Sequence, residues 1–177
     1  ERGELERVTR VEVRLYGSLS ATGVGHGTDR AVIMGLMGEW PDRIDPTQIA
    51  PRMAALLDSG LLQLDGRVAV PFDWVRDMRL LDENLPYHPN AMTLVAYGEQ
   101  GELHQETYYS VGGGFVVDAA QAASGQLDQD HTVLPYDFSS AEELLRLCKE
   151  HGLRVSELML ANEKAWRSEA EIRSGLM

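Results

Sequence analysis

The run Gly23-Val24-Gly25-His26-Gly27-Thr28 sets one histidine between two glycines. Glycine on either side removes neighbouring side chains and opens backbone angles closed to other residues, so a substrate or partner can come close to the imidazole. An ordinary imidazole titrates near about 6.5 and is largely neutral at about pH 7 to 8, which suits it to accept a proton. His26 is therefore a candidate proton carrier, and its alternative use is to hydrogen-bond the backbone of its own loop. In Tyr87-His88-Pro89-Asn90-Ala91-Met92 the proline extends the chain into a strand, and Asn90 offers an amide either to a substrate carboxylate or to a turn. His88 in that segment reads as a surface imidazole.

Ser110 and the consecutive Gly112, Gly113 and Gly114 form the third unusual segment. Three glycines weaken a strand, so they mark a bulge, a close approach by a ligand whose charge the backbone N–H groups can cradle, or a tight bend at a sheet edge. Ser110 has no His-Asp relay, which leaves a serine-hydrolase reading unsupported. The glycine run at 23–28 is also a poor dinucleotide loop, because Thr28 stands where the third glycine belongs and the elements after it do not alternate as strand and helix. His104, His131 and His151 lack metal-ligand spacing and read as solvated, and Cys148, beside Leu144, Leu145 and Leu147, reads as core.

The elements that must hold these residues follow from periodicity. Alternation of Val11, Val13 and Leu15 predicts a strand over 8–16. A glycine loop then leads to a cap at Thr28 or Asp29 and a buried helix ending near Gly38. Asp45-Pro46-Thr47-Gln48 reads as a capped helix start, with Gly60 as the stop. Asp65-Gly66 predicts a two-residue hairpin, and 91–97 and 103–111 a second hairpin, continued by 115–117. Residues 119–132 read as loop. Ser139-Ser140-Ala141-Glu142 opens a helix that stops at Gly152, and Ser156 caps a final helix containing Leu158, Ala161, Ala165 and Ile172. Helices at both ends of a β-rich middle make the expected fold α+β, with helices packed on one face of a mixed or antiparallel sheet.

Composition narrows the function. With 177 residues, one ordinary core is the default, and a net charge of −12 argues against binding to nucleic acid or anionic lipid. No apolar run approaches the ~20 residues of a membrane span, and Glu1-Arg2-Gly3-Glu4 does not read as a signal peptide, so a cytoplasmic location is expected. A single cysteine permits neither an internal disulfide nor a cysteine-ligated metal centre built from this chain alone.

Taken together, Tyr16-Gly17-Ser18-Leu19, the 23–29 run Gly-Val-Gly-His-Gly-Thr-Asp, His88-Pro89-Asn90-Ala91-Met92 and Thr107-Tyr108-Tyr109-Ser110-Val111-Gly112-Gly113-Gly114-Phe115-Val116-Val117 resemble bacterial iron-sulfur L-serine dehydratases. Leu134-Pro135-Tyr136, Asn162-Glu163-Lys164 and Trp166-Arg167-Ser168 extend the likeness over essentially the whole chain, and Ala91 stands where the family often has glycine. The resemblance implies a lyase that converts L-serine to pyruvate and ammonia with a four-iron four-sulfur cluster and no pyridoxal phosphate. It identifies residues 1–177 with the β domain of a longer protein, in which a Ser-Ser-Ser-His-Thr segment precedes Glu1 and an α domain carrying the cluster follows Met177. It also implies a fold similar to the allosteric substrate-binding domain of some phosphoglycerate dehydrogenases.

In the implied mechanism the cluster's iron binds the serine hydroxyl and polarises it, while His26 removes the α-proton across the domain interface. Asn90, Ser110 and Gly112 to Gly114 are then candidates for substrate binding. The implied partners are L-serine, the chain's own α domain and, as a further possibility, a second copy in a homodimer. A non-catalytic module that binds serine for regulation, or only docks the α domain, is the competing expectation.

Overall fold

In a computed structural model the described residues are 4–124 and 132–176, and the chain divides into two compact units, Glu1–Leu127 and Asp128–Met177. The first unit is built on a mixed five-stranded sheet in the order β4-β1-β5-β6-β7. Its strands are β1 (Arg10–Leu15), β4 (Met78–Leu80), β5 (Ala91–Gly98), β6 (Gly101–Gly112) and β7 (Phe115–Asp118). β1 runs parallel to β4 and antiparallel to β5, and the remaining pairs are antiparallel. The fold is α+β, a mixed sheet with helices, as the sequence leads one to expect, although α6 (Ala119–Ser124) packs through Ala122 on the face opposite the other core helices.

Period-two alternation on β1 sends Val11, Val13 and Leu15 to one face. There they pack with Ile33 and Met34 of α3 (Thr28–Leu36) and with Met53 and Leu56 of α4 (Ile49–Ser59). Leu62, Leu64 and Val70 of a separate hairpin, β2 (Leu61–Leu64) and β3 (Val68–Pro71), close the same core. Val13, Leu15, Ile33 and Leu62 are fully buried, each contributing about 1.5–3 kcal/mol by burial of its side chain.

The opposite side chains of β1 are charged. Buried Glu12 accepts from Arg10 and Arg14, each at 2.7 Å. Arg10 also donates at 2.7 Å to Asp77, the last residue of the one-turn helix α5 (Trp74–Asp77). Asp77, whose side chain has no solvent exposure, also accepts from Arg76 and from the Asp73 backbone N–H. Burial alone pushes both carboxyls upward, but hydrogen bonds from the arginines, joined for Asp77 by the backbone N–H, outweigh it and hold both below the ordinary carboxylate range.

Several local expectations are corrected. The segment after β1 is not an open loop: α1 (Gly17–Ala21) and α2 (Gly23–His26) fill it, because Ser, Leu, Ala and Val tolerate helical angles while Gly17 (φ +52°) and Gly27 (φ +74°) supply the breaks. Gly27, not Thr28 or Asp29, occupies the cap position of α3. Asp45 accepts from the Thr47 N–H as a cap, but Pro46–Gln48 form a tighter 3₁₀ turn before α4. Asp65 and Gly66 both take positive φ and the Leu64 carbonyl accepts from Arg67 at 2.9 Å, yet the ladder pairs Leu64 with Val68, so Arg67 is an extra loop residue. The three-residue β4 and one-turn α5 are too short to show periodicity, and 119–124, read as loop, form α6 (Ala119–Ser124). The rest of that presumed loop and His131 lie outside the described residues, apart from Thr132.

In the second unit α7 (Ala141–His151) begins as expected, with Ser140 Oγ accepting from the Glu143 N–H, and ends at Gly152 with φ +64°. The expected single final helix is two. In α8 (Val155–Glu163) the Glu157 carboxylate accepts from Arg154 through its side chain and its backbone N–H, which holds that carboxyl down at about 2. α9 (Glu169–Gly175) carries a Ser168/Glu171 capping box. Leu158, Asn162 and Ile172 are buried, and Asn162 satisfies both ends of its amide on the Tyr136 backbone. Cys148 is half-buried and therefore lies at the margin, not in the core. No helix among the described residues is long and apolar enough to cross a membrane.

Candidate functional site

The register places the end of β1, the start of β5 and the end of β6 at one end of the sheet, since Leu15 pairs with Met92 and Ala91 with Tyr109. Three chain segments converge there. Tyr16 N–H donates to the Ala91 carbonyl at 2.9 Å, and Ser110 N–H donates to the Asn90 carbonyl at 2.9 Å. The Tyr87 and Tyr109 rings meet edge to face at 4.8 Å, fixing the 81–90 segment against β6. Asn90 and Ser110 are thus neighbours, although 20 residues separate them.

α1 begins at this junction and is capped from outside itself. Its first N–H, from Gly17, donates to Glu83 O at 3.0 Å, and its second, from Ser18, donates to Asn90 Oδ1 at 3.2 Å. Ser18 Oγ adds a 2.6 Å bond to the same oxygen. Gly17 is required here: a Cβ would lie 2.2 Å from the Pro89 carbonyl oxygen, and φ is +52°. On its other side Asn90 N–H donates to His88 Nδ1 at 3.1 Å, which places the His88 ring proton on Nε2 in the neutral ring.

Hydrogen bonds carry this anchorage toward His26. Thr22 donates to the Ser18 carbonyl from its N–H at 3.0 Å and from Oγ1 at 2.8 Å, and the His26 N–H donates to the Thr22 carbonyl at 3.0 Å. The His26 side chain is exposed at the end of α2, and its imidazole makes no hydrogen bond or ion pair among the described residues. The alternative use of that ring, binding its own loop backbone, is therefore not made. Gly23 on one side is buried, while Gly25 faces open space.

The glycine run resolves as a hairpin turn. Gly112 pairs with Phe115, Gly113 and Gly114 form the turn, and all three have positive φ, at +97°, +61° and +83°. That geometry accounts for glycine at each position without a close approach from elsewhere in the chain, since a Cβ on Gly112 or Gly114 would meet nothing within 4 Å. The turn lies just beyond Ser110, so it shares the same sheet end. His104 and His151 are exposed, and no group of three His, Cys, Asp or Glu side chains suited to hold a metal ion stands together among the described residues. Sequence reasoning missed Ser18, Thr22 and the His88 contact. The four-residue spacing of Ser18 and Thr22 and the two-residue spacing of His88 and Asn90 carried local signals, whereas the Ser18–Asn90 bond spans 72 positions.

The fold and site define an α+β domain with an exposed imidazole, a carboxamide and a glycine hairpin near one end of a mixed sheet. The chain belongs to the serine dehydratase beta chain family, whose pattern matches residues 1–121. It is 49% identical over 175 residues to an L-serine dehydratase of Streptomyces coelicolor, covering 98% of this chain and 38% of that protein. Identity to L-serine dehydratase TdcG of Escherichia coli is 43% over 174 residues, again 98% and 38% of the two chains. For an L-serine dehydratase of Haemophilus influenzae it is 37% over 178 residues, 99% and 39%. The chain thus spans well under half the length of these curated relatives.

Proposed function

We propose that this chain is the β domain of an L-serine dehydratase and supplies the base for α,β-elimination from L-serine. His26 takes the α-proton on a ring nitrogen, the C–H electron pair becomes the Cα=Cβ bond, and the β-hydroxyl leaves as water with a proton drawn from solvent, to which the imidazolium then returns its own. The resulting aminoacrylate tautomerises to an imine, which water hydrolyses to pyruvate and ammonia. Asn90 donates its amide to the substrate carboxylate, and Ser110 and the Gly112 to Gly114 turn, at the same end of the sheet, contribute to substrate binding.

The observation that carries this reading is the exposed imidazole of His26, without a hydrogen-bond partner among the described residues and tethered through Thr22 and Ser18 to Asn90. A base needs an unengaged ring nitrogen and a fixed approach, and the hydrogen-bonded turns supply the second. The family resemblance implies an iron-sulfur cluster as well. Such clusters are held by several cysteine thiolates, and this chain has the single half-buried Cys148, so its residues do not fit one and no step is assigned through it. A location in the cytoplasm and docking to an α domain complete the proposal.

In the full-length enzyme, His26→Ala is expected to lower kcat by about 100-fold or more, the usual contribution of a positioned base, without changing the visible absorbance of the enzyme. Turnover within a few-fold of wild type would remove His26 from the reaction and favour a regulatory or docking module.

A further inference from the structure

We propose that Ser18 is a positioning residue that sets which end of the Asn90 carboxamide the substrate meets. This rests on the reading of Asn90 as the partner of the serine carboxylate. An asparagine amide can present either its oxygen or its NH₂ group, and only the NH₂ group can donate to a carboxylate. Asn90 Oδ1 is committed twice, to the Ser18 N–H at 3.2 Å and to Ser18 Oγ at 2.6 Å. A flipped amide would set NH₂ against the backbone N–H, donor against donor. The bound orientation therefore turns Nδ2 away from α1, where its hydrogens meet no acceptor among the described residues. Ser18 thus aims a donor, while its carbonyl holds Thr22 and, through it, the turn that carries His26.

Ser18 lies at the second position of α1 and its side chain is exposed, so Ser18→Ala removes the hydroxyl without a helix penalty or a core cavity. The backbone N–H bond to Asn90 remains, so the amide is loosened and not lost. Loss of one hydrogen bond that orients a substrate donor corresponds to about a 3- to 10-fold change in apparent affinity. Asn90→Asp is the matched variant. A carboxylate still accepts both Ser18 bonds and keeps α1 capped, but it has no hydrogen to offer and repels the substrate carboxylate.

The test is steady-state kinetics of the full-length enzyme with L-serine. Ser18→Ala should raise KM about 3- to 10-fold with kcat within about twofold of wild type, and Ser18→Thr, which keeps the hydroxyl, should return most of the loss. Asn90→Asp should raise KM at least as far, and Ser18→Ala added to it should change KM by less than about twofold, because the donor that Ser18 aims is already gone. If Asn90→Asp raises KM and Ser18→Ala does not, the role of Ser18 is overturned while that of Asn90 stands. Additive effects in the double variant would also overturn it, by showing that Ser18 acts on substrate without Asn90. An unchanged KM in Asn90→Asp would overturn the carboxylate role of Asn90 and, with it, the proposal for Ser18.

Discussion

Gly17→Ala probes how the sheet end holds the site. A Cβ added at Gly17 would sit 2.2 Å from Pro89 O, 2.7 Å from Pro89 C and 3.0 Å from Asn84 Oδ1. Ordinary contact begins near 3.4 Å, so backbone must move by about 1 Å, and the backbone that moves is the one leading into Asn90. The positive φ of Gly17 adds a penalty of about 1–2 kcal/mol for an L-residue, and the clash adds about 1–3 kcal/mol. The sum, about 2–5 kcal/mol, is a large part of the stability of an ordinary domain. With an m-value of about 2 kcal/mol per molar, the urea midpoint should fall by about 1–2.5 M, read by circular dichroism on the 177-residue chain. Refolding to a relaxed state would instead displace Asn90, and then KM for serine should rise in the full-length enzyme. A midpoint shift below about 0.3 M with unchanged KM would refute the argument that α1 is pinned against the Pro89–Asn90 backbone.

Gly25→Ala is the converse: no atom lies within 4 Å of its Cβ and its φ is not positive, so in α2 it should stabilise by up to about 1 kcal/mol. If a partner closes over His26, the same change should lower kcat/KM in the full-length enzyme. Glu12 and Asp77 have folded pKa values below their unfolded ones, so their contribution to stability is complete above the unfolded carboxylate range and is lost as pH falls through and below it. The urea midpoint should therefore drop between pH 6 and pH 3, and Asp77→Ala, which takes from Arg10 one of its two carboxylate partners and from the exposed Arg76 this one, should cost about 2 kcal/mol at neutral pH and flatten that dependence. Ser140→Ala removes the cap of α7 and should cost about 1 kcal/mol, measured as lost helicity on thermal unfolding.

The legible parts of the fold were those written in local pattern. Alternation on β1, the Gly60 stop, the Asp65-Gly66 turn and the Ser140 cap each involve residues within a few positions of one another. β4 was hidden because three residues carry no period, and its parallel partner β1 lies more than 60 positions away. Asp77 carried no local signal, because only the fold brings Arg10 to it. The break between α8 and α9 was missed because apolar spacing continued across Lys164–Ser168, whereas the Ser168 cap restarts the helix. At the site, His26 stood out by its glycine flanks, and Asn90 and Ser110 by the motifs around them. What joins them, Ser18 against Asn90 and Ser110 against the Asn90 carbonyl, is tertiary and has no local signature.

The most direct measurement for the central claim is the separation between the His26 ring nitrogens and the serine α-carbon in a structure of the full-length enzyme with substrate bound. Proton abstraction by this ring predicts a nitrogen about 3–3.5 Å from the α-carbon, on the side of its hydrogen. A ring turned away from bound serine, with another base at that distance, would contradict it.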